Sequence, residues 1–203
     1  MSTTAFIGKN KMAKLEKKFY TRTNVLEISK DLLGKYLFTR INNEITAGII
    51  TETEAYAGIS DKASHAYNNR RTDRTEVMYA EGGVAYVYLC YGIHHLFNVV
   101  TNIKDAPHAI LIRAIKPAEG IETILKRRKQ KSISPLISAG PGTSSQALGI
   151  KTIHSGTDLT GDTIWIEDRG IKIRKNQIIV GTRIGIGYAE EDALLPYRFI
   201  IKL

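Results

Sequence analysis

The stretch Ile45-Thr46-Ala47-Gly48-Ile49-Ile50-Thr51-Glu52-Thr53-Glu54-Ala55-Tyr56 decides how this chain is read. Tyr36 to Ile41 precedes it as a strand, the Asn42-Asn43 pair supplies a turn, and the stretch becomes the second arm of a β-hairpin. Alternate side chains of a strand share a face. Ile50, Glu52, Glu54 and Tyr56 are therefore expected together, with Ile49, Thr51, Thr53 and Ala55 on the other side. Acids are poor strand formers, and two like charges about 7 Å apart on one face repel each other. Two readings follow: an edge strand that uses charge to block aggregation, or a reactive carboxylate beside a stacking ring.

Working outward, Asn24 to Leu33 reads as a helix, with Thr23 or Asn24 as N-cap, Leu26, Ile28, Leu32 and Leu33 as apolar positions, and Gly34 as its stop. Residues 57–75 are polar and basic and read as a long surface loop. Gly82-Gly83 turns the chain into a strand over Val84 to Cys90, on which Tyr86 and Tyr88 share a face, and Tyr91-Gly92 breaks the pattern. His94 to Asn102 and Ala109 to Ile115 are further strands, Glu119 to Lys131 a helix with a basic end, and Thr143-Ser144-Ser145-Gln146 a capping box for a short helix through Leu148. The last third reads as strands over 163–167, 171–174, 177–180, 183–187 and 198–201. Strands outnumber helices without a regular βαβ alternation, which predicts an α+β fold with a largely antiparallel β-sheet.

The chain has 203 residues, 43% of them hydrophobic, and no Ser/Gly/Pro linker divides it. The expectation is a basic N-terminal arm over residues 1–18 and a single domain over 19–203. Lys and Arg exceed Asp and Glu by 29 to 20, a formal charge of +9, which favours a polyanionic partner unless it is a general Lys surplus. One cysteine, Cys90, excludes an intramolecular disulfide and a Cys-based zinc cluster, and it is expected to be a small buried residue. Neither a signal peptide nor a membrane span is visible, so a cytoplasmic protein is expected.

Metal chemistry finds no support: none of the five histidines stands in an HExxH or Cys-x-x-Cys pattern, and His94-His95 would point to opposite faces of a strand. No Gly-x-Ser-x-Gly elbow occurs, and Gly140-Pro141-Gly142-Thr143 lacks the Gly-Lys-Ser/Thr ending of a triphosphate loop, although a glycine-rich turn into a helix can hold one backbone phosphate. Ten tyrosines stand against one tryptophan, and Tyr56, Tyr86, Tyr88 and Tyr91 fall beside the acids or at a strand end. Such rings either fill a small sheet core or stack on bases at about 1–3 kcal/mol each. Basic charge, clustered tyrosines and a strand carboxylate together favour chemistry on a nucleobase, which needs extrusion of the base, a carboxylate to activate water, and no metal or other cofactor.

The segments Thr51-Glu52-Thr53-Glu54-Ala55-Tyr56, Ser64-His65, Ala85-Tyr86-Val87-Tyr88-Leu89-Cys90-Tyr91-Gly92, Phe97-Asn98-Val99, Leu111-Ile112-Arg113-Ala114, Gly140-Pro141-Gly142 with Gln146-Ala147-Leu148, and Gly187-Tyr188-Ala189-Glu190 run in order through the chain from about Thr23. In this order and spacing the chain resembles the alkyladenine, or 3-methyladenine (methylpurine), DNA glycosylases. The resemblance implies a single mixed domain around a curved antiparallel sheet with flanking helices. It implies a monofunctional enzyme that flips alkylated purines out of duplex DNA and hydrolyses the N-glycosidic bond. By it Glu54 is the general base, with Arg113 helping to position the water. Tyr56 on one side, with His65 and Tyr88 on the other, sandwiches the base; Tyr86 supports the pocket, Asn98 lies at its floor and rejects the amino group of a normal guanine, and Tyr91 is the wedge that enters the DNA stack. Glu52 receives no role.

Two departures from the family pattern stand out. Thr143-Ser144 occupies the place after Gly-Pro where many relatives carry a Lys, and the loop from Asn98 to Arg113 is slightly longer than in the mammalian members. The long N-terminal extension of those members is absent, and the compact chain looks like a bacterial member, working as a monomer on DNA of the nucleoid. A non-enzymatic damage-binding module and a hydrolase of free nucleosides are the competing functions. Release of base from alkylated duplex separates all three.

Overall fold

The structure, a computed structural model, describes residues 13–202. Much of the expected N-terminal arm, residues 1–12, lies outside the described residues. The described chain opens with β1 (Ala13–Lys14), α1 (Lys17–Tyr20) and α2 (Val25–Leu32), followed by the hairpin β2 (Tyr36–Ile41) and β3 (Glu44–Tyr56). Then come β4 (Val84–Cys90), β5 (His94–Thr101), β6 (His108–Glu119), α3 (Ile121–Arg128), α4 (Pro141–Leu148), β7 (Ile164–Asp168), β8 (Ile179–Gly181) and β9 (Arg198–Ile200). The strands pair antiparallel in the order β1-β7-β2-β3-β6-β5-β4, with β9 added beside β3 and β8 beside β9. The fold is α+β, one mixed domain built on a curved antiparallel sheet.

The hairpin forms as expected because Asn42 and Asn43 both take positive φ, 54° and 61°, the double left-handed turn that matches strand twist. β3 is an interior strand. Its first half pairs with β2 and its second half with β9, while β6 runs along its other side. That removes the edge-strand reading of the two acids. Register shifts on both sides of Glu52 break the two-residue alternation, so Ile50 is not on the face of the acids. It packs instead into the main core with Ala55, Ile110, Ile112 and Ile115.

α2 closes that core from one side with Val25, Ile28 and Leu32 buried. Its N-cap is Asn24, whose Oδ1 accepts from the backbone N–H of Leu26 and Glu27 at 3.1 and 3.2 Å. Ser29, in the middle of the helix, accepts the Thr53 hydroxyl through its carbonyl at 3.0 Å, which ties α2 to the strand carrying Glu54.

Several expected boundaries move. β6 continues to Glu119, and the left-handed Gly120 (φ 67°) must intervene before α3 starts at Ile121. α4 begins at Pro141 with Gly140 as N-cap, so Thr143 sits at the third helical position, its Oγ1 accepting from the Gly140 N–H at 2.9 Å; the helix starts three residues before the predicted N-cap, and Gly140 has no side chain to complete a capping box. Residues 171–174 and 183–187 carry β-type sequence yet form no strand: left-handed Gly170 and Gly185 bend the chain away, and the Arg183 side chain turns inward. Residues 57–75 are more than surface loop, with Asp61, Ala63, Ser64 and Ala66 buried among short 3₁₀ turns.

Replacing Asn24 with Ala strands two helix N–H groups and is expected to lower stability by about 1 kcal/mol, whereas Asp is tolerated. Urea unfolding of the two variants against the parent checks this, with a loss near zero for Ala as the contrary outcome.

Candidate active site

The second half of β3, the facing half of β6, the β4–β5 hairpin and the start of α4 surround a cleft of about 700 Å³. Register fixes which side chains meet there. Leu111 is opposite both Glu54 on β3 and Asn98 on β5, and Asn98 is opposite Tyr86 on β4. Tyr56, His65, Tyr86, Tyr88, Tyr91, Asn98 and Arg113 all line the cleft. Of the residues expected at the site, Glu54 alone does not reach its surface.

The Glu54 side chain is fully buried (0% exposed) just behind three lining groups. Its Oε2 accepts the Tyr56 hydroxyl at 2.9 Å; its Oε1 accepts the backbone N–H of Ile184 at 2.9 Å and lies 3.3 Å from an Arg113 guanidinium nitrogen. Burial disfavours the anion and raises the Glu54 carboxyl above the ordinary range, Arg113, the Ile184 N–H and the Tyr56 hydroxyl oppose the rise, and the negative Glu52 adds a smaller upward push. Tyr56 is held neutral by its own burial and by the neighbouring carboxylate.

The aromatic residues form two groups. His65, Tyr86 and Tyr88 pack together, with ring centroids 4.7 Å apart for His65–Tyr88 and 5.5 Å for Tyr86–Tyr88. Tyr56 belongs to a separate cluster with Ala63, Ile186 and Ala189. Arg74 lies over the Tyr88 ring at 5.1 Å and donates to His65 Nε2 at 3.2 Å. Because Arg only donates, Nε2 must be the acceptor, which puts the imidazole proton on Nδ1 and directs it to the Tyr86 hydroxyl 2.8 Å away. Burial, reinforced by Arg74 and Arg70, lowers the His65 pKa to about 4, so this ring is neutral in the physiological range.

Asn98 is buried at the cleft wall, and its amide nitrogen donates to the carbonyls of Tyr86 at 3.1 Å and Leu96 at 3.3 Å. Both N–H groups are thereby used, and the side-chain oxygen is left as the group it can present to a ligand. At the tip of the β4–β5 hairpin, Tyr91 has a left-handed backbone (φ 51°) and is 87% exposed, with Ile93 beside it at 71%. Cys90, expected to be buried, is half-buried and lines the cleft, because it ends β4 next to this tip. His94 is exposed and lines the cleft too, close enough to Gly142 that a Cβ there would meet the imidazole at 2.9 Å.

A family model for methylpurine-DNA glycosylase matches residues 18–203. The chain belongs to the methylpurine-DNA glycosylase family. Curated relatives agree: a protein of Chlamydia felis named "Putative 3-methyladenine DNA glycosylase" is 46% identical over 93% of this chain and 96% of its own length. Relatives of the same name from Alkaliphilus oremlandii and Clostridium novyi are 45% and 43% identical, over 93% and 94% of this chain and 96% of theirs. As a member of this family the chain is a hydrolase of N-glycosyl bonds with DNA as its substrate. Among the described residues no helix is long and apolar enough to cross a membrane, and no group of His, Cys, Asp and Glu has the geometry to hold a metal ion.

Sequence reasoning missed four parts of this family member's site. Glu52 accepts Arg113 Nε at 2.8 Å. The Ile184 N–H comes from a segment read as a strand. Arg183, fully buried, pairs with Asp61, donates to the Ala55 carbonyl at 2.9 Å and lies over the Tyr56 ring at 4.9 Å. Ser144, considered for a phosphate contact, is buried and donates instead to the carbonyls of Arg113 and Ser138, at 3.2 and 2.8 Å. A buried Arg–Asp pair across more than a hundred residues leaves no local signal, whereas an acid two residues from another on a strand does.

The arginine beside His65 is expected to add to the effect of burial on its titration. In Arg74→Met the imidazole pKa should rise above about 4 but remain below 6.5, since burial, the larger cause, and Arg70 are unchanged; NMR titration follows it. Since the folded pKa is depressed, the stability His65 contributes is complete above about 6.5 and is lost as pH falls through 4; the variant narrows that window.

Proposed function

We propose that this chain is a monofunctional glycosylase that extrudes alkylated, and also deaminated, purines from duplex DNA and hydrolyses the N-glycosidic bond with a water activated by Glu54. The carrying observation is the buried Glu54 carboxylate directly behind an aromatic cleft, sharing its oxygens among Arg113, Tyr56 and the Ile184 N–H. A carboxylate offers about four acceptor sites, and three are taken, so one remains for a water. Raised basicity suits such a group to accept a proton.

The base enters between Tyr56 and the His65/Tyr88 wall, with Tyr86 behind. Tyr91 fills the vacated stack, a role suited to an exposed ring held on a tight turn. As the bond from C1′ to the purine nitrogen breaks, its electron pair moves to the base, so a cationic alkylated purine leaves neutral, whereas a neutral deaminated purine leaves as the anion and takes a proton from solvent. The water oxygen bonds C1′, and its proton goes to Glu54; Arg113 helps to position the water, and the negative carboxylate stabilises the positive charge that develops on the sugar. A normal guanine would press its exocyclic amino group into the bulk of the Asn98 side chain, which cannot turn aside because backbone carbonyls hold its amide in place. His65, kept neutral, stacks on the base without adding repulsion to a cationic lesion. Arg74 and the overall charge of +9 hold the phosphates. The product is an abasic site, the start of base excision repair, made by a monomer in the bacterial cytoplasm on nucleoid DNA.

Glu54→Gln is expected to reduce release of 3-methyladenine from methylated duplex by about 10²- to 10⁴-fold, and release near the parent rate would remove Glu54 from this role. In the parent, kcat/KM should fall as pH drops through the raised Glu54 pKa, giving an acidic limb above the ~4.3 of an ordinary glutamate. Tyr91→Ala should cost about tenfold on duplex, within the roughly 1–3 kcal/mol of one stacking contact, and far less on single strands. Equal losses on the two substrates would argue against a wedge.

A further inference from the structure

We infer that Glu52 is a positioning residue for the reaction: it clamps Arg113 so that the guanidinium faces Glu54 and the cleft without closing on the carboxylate. The inference rests on the reading of Glu54 and Arg113 given above. A single oxygen of Glu52 accepts Arg113 Nε at 2.8 Å and Arg198 Nε at 2.7 Å. The Glu52 and Arg113 side chains are each 12% exposed, so this is a charge-assisted contact shielded from solvent. Arg113 reaches Glu54 only with a second nitrogen and at the longer distance of 3.3 Å. Its backbone is fixed as well, since the Ser144 hydroxyl donates to its carbonyl at 3.2 Å.

The strand irregularity has a use in this light. Register shifts flank Glu52, setting it opposite Ala114 while Glu54 stays opposite Leu111, so both acids flank one arginine. Without the Glu52 carboxylate, a long and rotamer-rich Arg side chain has one strong anionic partner left, Glu54. A full ion pair there would occupy the acceptor site needed by water.

The charged and titratable groups around Glu54 are Glu52 and Tyr56 on its own strand, Arg113 from β6, Arg198 from β9 opposite it, and Arg183 from the segment after β8. Neutralising Glu52 removes a negative charge from this set and frees two cations, and both changes make Glu54 a weaker base.

Single-turnover release from methylated duplex, measured across pH, tests the assignment. Glu52→Gln should slow the chemical step by about 10- to 100-fold, leave duplex affinity within about twofold, and move the acidic limb to lower pH. Glu52→Asp keeps the charge but not the reach, so it should hold the limb in place while losing rate; it also serves should Gln prevent folding. In a cycle with Arg113→Lys, the second change should cost little once the first is made. An unmoved limb in Glu52→Gln, or losses that multiply in the double variant, would overturn the clamp and leave Glu52 a structural ion pair. Glu54→Gln runs alongside: an active Glu54→Gln enzyme defeats the general-base reading itself, whereas an inactive one with a normal Glu52→Gln enzyme defeats only the clamp.

Discussion

An ionisable carboxylate buried in the middle of a sheet must be compensated or it will not stay charged, and Glu54 imposes that requirement on everything around it. Compensation arrives from three directions at once: a side chain of β6, a ring on its own strand, and a main-chain N–H from a segment far along the sequence. Each helper must itself be held. Arg113 is anchored by Glu52, and the Ile184 N–H is brought in by its neighbour Arg183, which binds Asp61 and the Ala55 carbonyl. The outcome is a carboxyl group whose pKa burial raises while Arg113, the Ile184 N–H and the Tyr56 hydroxyl oppose the rise.

The other half of the cleft obeys a different constraint, and under the proposed function its task is recognition. A flipped base needs flat apolar faces with few competing charges. The wall made by His65, Tyr86 and Tyr88 meets this by keeping the imidazole neutral and by using hydroxyl and imidazole groups to satisfy one another. Asn98 spends both of its donors on backbone carbonyls, which fixes the orientation of its side chain at the cleft wall.

How much of this was legible in the sequence depended on distance along the chain. The β2–β3 hairpin was, because an Asn-Asn turn between alternating residues is a local signal. Glu54, Tyr56, Tyr88, Asn98 and Arg113 were legible through motif order, and the structure gathers their positions at one cleft or directly behind it. Ile50 was misassigned because a bulge next to Glu52 is invisible to a period-two pattern. Residues 183–187 read as a strand from their β-type composition, yet their place is decided by a buried pairing of Arg183 with Asp61, two positions joined only in space. The same holds for Cys90, whose burial was inferred from its type and is governed instead by its place at a hairpin tip.

The β4–β5–β6 ladder carries a further consequence for how such a chain tolerates change in length. Tyr86, Asn98 and Leu111 stand in one row across three strands, and Glu54 extends that row onto β3. Residues added in the connection between Thr101 and His108 leave the row untouched, because pairing is counted from the strands and not along the loop. A single residue inserted between Tyr86 and Tyr88, or between Leu111 and Arg113, would instead send the next side chain to the opposite face of the sheet. Within this ladder the strand interiors are therefore the positions at which a change of length breaks the row.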